Sequence, residues 1–148
     1  MEAFKVQNFE RVHGANSFPA FRSLAREETN HTLTQLKRGL GLPHDLSTED
    51  VLHAVDRLSV LVEGVDASEV IFDLRAVLDR LGFSATKVLV NWGRFESMDE
   101  FETKDLCNFF TDIFYPSADD LEILDSNVAW LLSIRHHGAV MALAQLNQ

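Results

Sequence analysis

Cysteine is all but missing from the chain. Cys107 stands alone, so no internal disulfide can staple the fold, and a reducing compartment suits it. Long apolar runs are missing too. Without 18 consecutive apolar residues the sequence predicts no membrane span, and the opening MEAFKVQNFERVHG lacks the apolar core of a signal peptide. The expectation is a soluble, cytoplasmic protein. The seven glycines are scattered, which leaves no phosphate-cradling loop. No G-x-S-x-G elbow surrounds Ser133, and no HExxH, EF-hand loop or Cys/His cluster occurs. His13, His31, His44 and His53 have no ligand spacing, so no metal and no cofactor is expected.

Positive charge is scarce where negative charge is dense. Residues 96–125 hold ten Asp/Glu against the single Lys104, whereas residues 1–38 hold six Lys/Arg against four Asp/Glu. A phosphate backbone would be repelled by the first segment. A basic protein would be steered toward it.

What is present is ordinary globular material. The 148 residues are 46% hydrophobic, which fits one domain able to bury about 70% of its unfolded surface. Weak alternation through Phe4, Val6, Phe9 and Val12 suggests an edge strand or an irregular arm. A helix is predicted from about Pro19, with Ser17 as its cap, to Lys37-Arg38-Gly39. Val51, Val55, Leu58 and Val62 recur at helical spacing and predict a helix over 48–63, although Val60, Val62 and Val65 leave a short strand open. DASEVIFDLRAVLDRLG predicts a helix opened by Asp66 and Glu69 and closed by Gly82. The period then changes: Val88, Val90 and Trp92 alternate as in a strand. A helix over 99–113 follows, its first turn carrying Asp99, Glu100 and Glu102, and Pro116 ends it.

FYPSADDLEILDSNVAWLLSIRHHGAVMAL reads as a β-meander. With Ser126-Asn127 and His137-Gly138 as the central pairs of two tight turns, Ile123 opposes Trp130, Leu121 opposes Leu132, Ile134 opposes Met141, and Leu132 opposes Leu143. All seven side chains then share one face. The other face mixes Asp120, Glu122 and Arg135 with Leu124 and Leu131, which calls for a second covering layer or a partner. The predicted fold class is α+β: several helices packed on a mainly antiparallel sheet of about four strands, with a C-terminal meander, in a single domain over 1–148.

Of the groups with chemistry, His137 is a turn residue, and His136 falls in phase with the core-facing set as a partly buried histidine. Asp119 and Asp120 could supply a general base or metal carboxylate with His136, but Asp119 in Pro-Ser-Ala-Asp-Asp also suits a turn before a strand. Cys107 lies mid-helix beside Leu106 and Phe109, in an acidic segment that disfavours a thiolate. The candidate partner surface comprises Asp99, Glu100, Glu102, Asp105, Asp112, Asp119, Asp120 and Glu122, with Glu96 beside them. Trp92 and Phe95 would be its aromatic anchors, with Phe101 nearby.

The succession Phe-Tyr-Pro-Ser-Ala-Asp-Asp, Leu-Glu-Ile-Leu-Asp, Val-Ala-Trp-Leu-Leu-Ser-Ile, His-His-Gly (within 114–138) resembles the carboxy-terminal meander of small uncharacterised bacterial proteins of the polymorphic or contact-dependent toxin-immunity type. The resemblance covers about thirty of the 148 residues and transfers no contact residue. It implies a cytoplasmic, non-catalytic inhibitor that covers a toxin. Three functions therefore remain open from sequence: an acidic module binding a basic protein, a small metal-binding or hydrolytic enzyme using Asp119, Asp120 and His136, and a structural subunit pairing through its sheet.

Overall fold

The structure, a computed structural model, describes residues 1–146. Its elements run α1 (Ala3–His13), β1 (Phe21–Ser23), α2 (Arg26–Gly39), α3 (Thr48–Leu58), β2 (Val60–Leu61), α4 (Leu74–Leu81), β3 (Lys87–Asn91), β4 (Met98–Glu102), α5 (Thr103–Ile113), β5 (Leu121–Asp125), β6 (Leu131–Ile134) and β7 (Val140–Leu143). The fold is α+β, with seven described strands rather than four. They form one antiparallel sheet in the order β1-β4-β3-β5-β6-β7-β2. The three strands that periodicity did not resolve are β1, β2 and β4. Two of these are edges of two or three residues, too short to show an alternation.

Both faces of the sheet are covered. On one, Phe9 of α1, Leu78 of α4 and Phe110 of α5 pack on Val88, Val90, Phe101, Ile123 and Leu132. On the other, Leu36 of α2 with Val51 and Val55 of α3 pack on Leu89, Met98, Leu124 and Leu131. The mixed face of the meander thus has its second layer within the chain. No helix of the described residues is long and apolar enough to cross a membrane.

The amino-terminal segment is a helix, not an edge strand. Met1, Lys5 and Phe9 recur every four residues; Lys5 and Phe9 are buried, while Phe4 of the apparent alternation is half exposed. The next helix begins at Arg26 rather than Pro19. Phe21–Ser23 extends the sheet beside β4, and the Glu28 carboxylate accepts the Ala25 N–H at 2.8 Å to start α2. The third prediction, 48–63, resolves into α3 and the short strand β2. The helix expected from Asp66 starts only after Asp73, whose carboxylate accepts the Ala76 N–H. Asp66 instead bonds Ser68 in a turn, and Val70 and Ile71 are solvent-exposed. Gly82 caps α4 in the left-handed region.

The helix predicted over 99–113 also divides. Met98–Glu102 is a strand paired with β3 from Asn91↔Met98 to Lys87↔Glu102, and α5 begins at Thr103. Phe101 and Asp99 point to one face and Glu100 to the other, so pleat alternation replaces the helical stripe. Acids that would suit a first helical turn sit on the strand.

The meander exists with a different register. β5 and β6 pair Ile123↔Leu132 and Leu121↔Ile134, two residues beyond expectation. The Asp125 carboxylate accepts the N–H groups of Asn127, Ala129 and Trp130, and Val128 takes φ 53°, so β6 resumes only at Leu131. A shift of two preserves the faces. The second hairpin slips by one: Ile134 pairs Val140 and Leu132 pairs Ala142. Gly138 N–H bonds Arg135 C=O, making His136 and His137 the central pair, while Gly138 takes φ 97° as an extra loop residue. Val140 therefore faces the α1/α4/α5 layer, while Leu143, opposite Leu131, packs toward the α2/α3 layer and Met141, opposite Ser133, shares that face.

Candidate functional site

The acids of residues 96–125 do not gather on one surface. Asp99 is buried on β4, accepting the Ser23 hydroxyl at 2.6 Å and the Trp92 indole N–H at 2.8 Å, with the Met1 amine 2.7 Å away. Asp119 bonds Lys5, and its Oδ2 also accepts the Tyr115 N–H. Asp112 lies 3.2 Å from the His13 ring. Glu100 meets both Arg22 and Lys87, and Glu102 approaches Lys87. Phe95 belongs to the core of the α2/α3 layer. Asp105 stands in the first turn of α5, where it faces the helix dipole.

Three of the named residues do converge. Trp92, Asp120 and Glu122 line one cleft of about 440 Å³ together with Leu52, Asp56, Arg94 and Arg135. Each arrives there for a local reason. Glu122 and Arg135 follow the meander's alternation onto the face opposite Ile123 and Ile134. Asp56 is a polar position of α3, whose Val51 and Val55 pack on the sheet. Trp92 and Arg94 belong to the 92–97 loop between β3 and β4, and its consecutive residues Arg94 and Phe95 adopt φ 53° and 55°. Asn91 holds that conformation, since its Oδ1 accepts the N–H groups of Gly93 and Phe95.

The cleft floor is a buried polar relay. The Asn91 Nδ2 donates to Glu122 Oε2 at 2.7 Å, Arg135 donates to Glu122 Oε1 at 2.8 Å, and Arg135 also bonds Asp56 Oδ1. Burial pushes the Glu122 carboxyl above its ordinary range, with Arg135 and Asn91 opposing that push. At the rim, the backbone N–H and ring Nδ1 of His136 lie 2.7 and 2.9 Å from Asp120 Oδ1. Desolvation alone would raise the Asp120 carboxyl, but these bonds and the nearby Arg135 outweigh it and hold it low.

His136 is a corrected expectation. It is about half exposed, because β6 ends at Ile134 and the histidine occupies the turn instead of the core-facing series. Asp119 and Asp120 also part company: one faces Lys5 of α1, the other His136 across the sheet. Among the described residues no three His, Cys, Asp or Glu side chains converge as metal ligands. Cys107 is partly buried, and burial raises its thiol above the ordinary value, away from a nucleophilic thiolate.

Sequence reading missed Asp56, Arg94 and Lys5. Asp56 and Arg94 lie outside the acid run and reach the cleft only through tertiary packing. Lys5 carried a signal, being midway between Met1 and Phe9 on an apolar stripe at four-residue spacing. No protein-family model matches the chain, and no curated protein and no solved structure matches it either.

Proposed function

We propose that the protein is a non-catalytic, acidic module that binds a basic protein, and that it meets that partner at the cleft between the 92–97 loop, α3 and the start of β5. The convergence of Trp92, Asp56, Asp120 and Glu122 on that one depression carries the reading. An aromatic wall beside partly desolvated carboxylates suits a central interface contact. The chain's net charge of −10 adds long-range steering of a cationic partner. Neutralisation of a basic bacterial toxin is the specific form suggested by the resemblance of the meander.

The test is association with the product of the gene next to its own, followed by stopped-flow mixing at rising salt. A complex should form, and its association rate should fall as salt rises. Asp56→Lys and Asp120→Lys should slow association by about an order of magnitude, while Asp112→Lys, distant on α5, should have a much smaller effect. Absence of a complex, or equal sensitivity at all three positions, would overturn the reading. The enzyme alternative has less behind it, because Asp119 is consumed by Lys5 and does not face Asp120's partner.

A further inference from the structure

We infer that the cleft receives an arginine side chain of the partner, its guanidinium lying between Asp56 and Asp120 and against the Trp92 indole. The inference rests on the binding-module reading and names the group that the site recognises. Its first support is the pattern of used and unused atoms. Asp56 gives only Oδ1 to Arg135, and Asp120 gives only Oδ1 to His136. Among the described residues neither Oδ2 accepts a hydrogen bond, so two acceptors on different elements remain open to one depression. Glu122, by contrast, is spent: Asn91 and Arg135 occupy one oxygen each.

The second support is charge. The lining contains three carboxyl groups against two guanidinium groups. Arg135 has its two terminal nitrogens committed to Glu122 and Asp56, leaving Arg94 as the cation without an ion pair among the described residues. The open groups of the cleft are therefore the two carboxylate Oδ2 atoms and the Arg94 guanidinium, and its carboxyl groups outnumber its guanidiniums by one. An acidic ligand would find only Arg94 free among the described residues and would compete with Glu122 and Asp56 for Arg135, whereas a cationic ligand held by the two Oδ2 atoms leaves those bonds in place.

The third support is shape. A carboxylate on a helix and another beside a strand present acceptors from two directions, which a planar fork with several donors serves better than a compact ammonium. Trp92 lines the cleft with its indole N–H fixed on Asp99 at 2.8 Å; its ring already stands 5.2 Å from the Lys5 ammonium, and guanidinium planes likewise stack on indole. The cleft already treats one guanidinium in this manner, with Arg135 bridging Glu122 and Asp56.

The experiment uses the full chain, uniformly ¹⁵N-labelled, titrated to millimolar N-acetyl-L-argininamide, with N-acetyl-L-lysinamide, N-acetyl-L-citrullinamide and acetate in parallel. Saturable shifts are expected at Gly93, Asp120 and the Trp92 indole N–H with the arginine probe. The lysine probe should bind several-fold more weakly, and neither citrulline nor acetate should saturate these signals. Asp120→Asn should weaken the arginine probe about tenfold, equivalent to about 1.4 kcal/mol, while Glu102→Gln leaves it unchanged. Asp56→Asn could perturb Arg135, so Asp120→Asn, at a half-exposed position, is the deciding variant, with its native spectrum as the folding check. Equal response to citrulline, saturation by acetate, shifts confined to a second groove, lined by Arg22, Glu28, His31 and Gln35 on β1 and α2, or no shift at all would each overturn the inference. If the arginine probe fails while Asp120→Lys still slows partner association, only the arginine assignment is lost. If the probe binds but cleft variants leave the partner indifferent, the proposed function is lost instead.

Discussion

The Lys5 ammonium lies 2.5 Å from the Asp119 carboxylate across 114 residues of chain, and Lys5 is 1% exposed. The same nitrogen donates to Ile113 C=O at 2.8 Å and stands 3.8 Å from the Tyr115 ring centroid. One charge therefore ties α1 to the end of α5 and to the turn before β5. Asp119 in turn fixes that turn through the Tyr115 N–H, so the pair orders the approach to the cleft without entering it.

Removing one partner should cost more than removing both. Asp119→Ala leaves the Lys5 charge buried and is expected to destabilise the fold by about 3–5 kcal/mol. Lys5→Met combined with Asp119→Ala should cost less than the sum of the two single changes, because no charge is then stranded. Urea unfolding of the single and double variants checks this. Additive losses would show that the pair is not coupled.

Glu122 gives a pH signature whose sign follows from its surroundings. Its folded-state carboxyl is pushed above the ordinary value of 4.5, mainly by burial. The folded protein thus holds that proton more tightly than the unfolded chain does. Its favourable contribution is full below the unfolded value and is lost as pH rises through the raised folded value. Measured as a difference from Glu122→Gln, wild-type stability should decline with rising pH across that window. Asp120, held below its ordinary 3.8 by His136 and Arg135, contributes with the opposite sign: present above the unfolded value and lost as pH falls through the folded one. The Asp120→Asn difference curve should therefore slope the other way. Two curves of the same slope would contradict the assigned environments.

The elements legible in the sequence were those whose periodicity acts alone. Lys87–Asn91 reads as a strand because Val88-Leu89-Val90 is a short, valine-rich apolar run buried on both faces, and Leu121–Ile134 kept its faces because Asp125 lengthened the first turn by an even number. The slip at β7 came from a loop distinction. His136 and His137 form the central pair and Gly138 supplies the positive φ, whereas a two-residue turn would have centred on His137-Gly138. One residue of difference reverses a strand. Asp99, Glu100 and Glu102 misled for another reason: acids favour a first helical turn, but β4 pairs on both sides with β1 and β3, and tertiary pairing overrides a local preference. The cleft was legible only in fragments. Trp92, Asp120 and Glu122 were visible as residue types, while Asp56 and Arg94 join them through folding across the 56–135 interval.

The two tryptophans should report on the two regions separately. Trp130 is 6% exposed and stacks on Phe83 with centroids 4.8 Å apart, whereas Trp92 is half-buried at the cleft. In Trp92→Phe the remaining emission should resist acrylamide. In Trp130→Phe it should be readily quenched and should respond to the arginine probe. Trp130→Ala, which empties a core site, is expected to cost about 3–5 kcal/mol by thermal or chemical unfolding. Equal quenching of the two single-tryptophan proteins would contradict the burial that separates them.

Gly138 offers the sharpest test of the second hairpin. It has φ 97°, its carbonyl accepts the Ala67 N–H at 2.8 Å, and an added Cβ would fall 1.9 Å from Asp66 Oδ1. Gly82 has φ 69° but open space around the same position. Gly82→Ala should therefore show the backbone penalty alone, about 1–2 kcal/mol. Gly138→Ala should exceed it, because Asp66 must leave its bonds to the Ser68 N–H and hydroxyl to make room. Combining Gly138→Ala with Asp66→Ala removes the obstructing carboxylate, so the added alanine should then cost about what it costs at Gly82, measured against Asp66→Ala alone. If the penalty at Gly138 is unchanged by that second substitution, the loss comes from the backbone of the turn and the Asp66 contact is incidental.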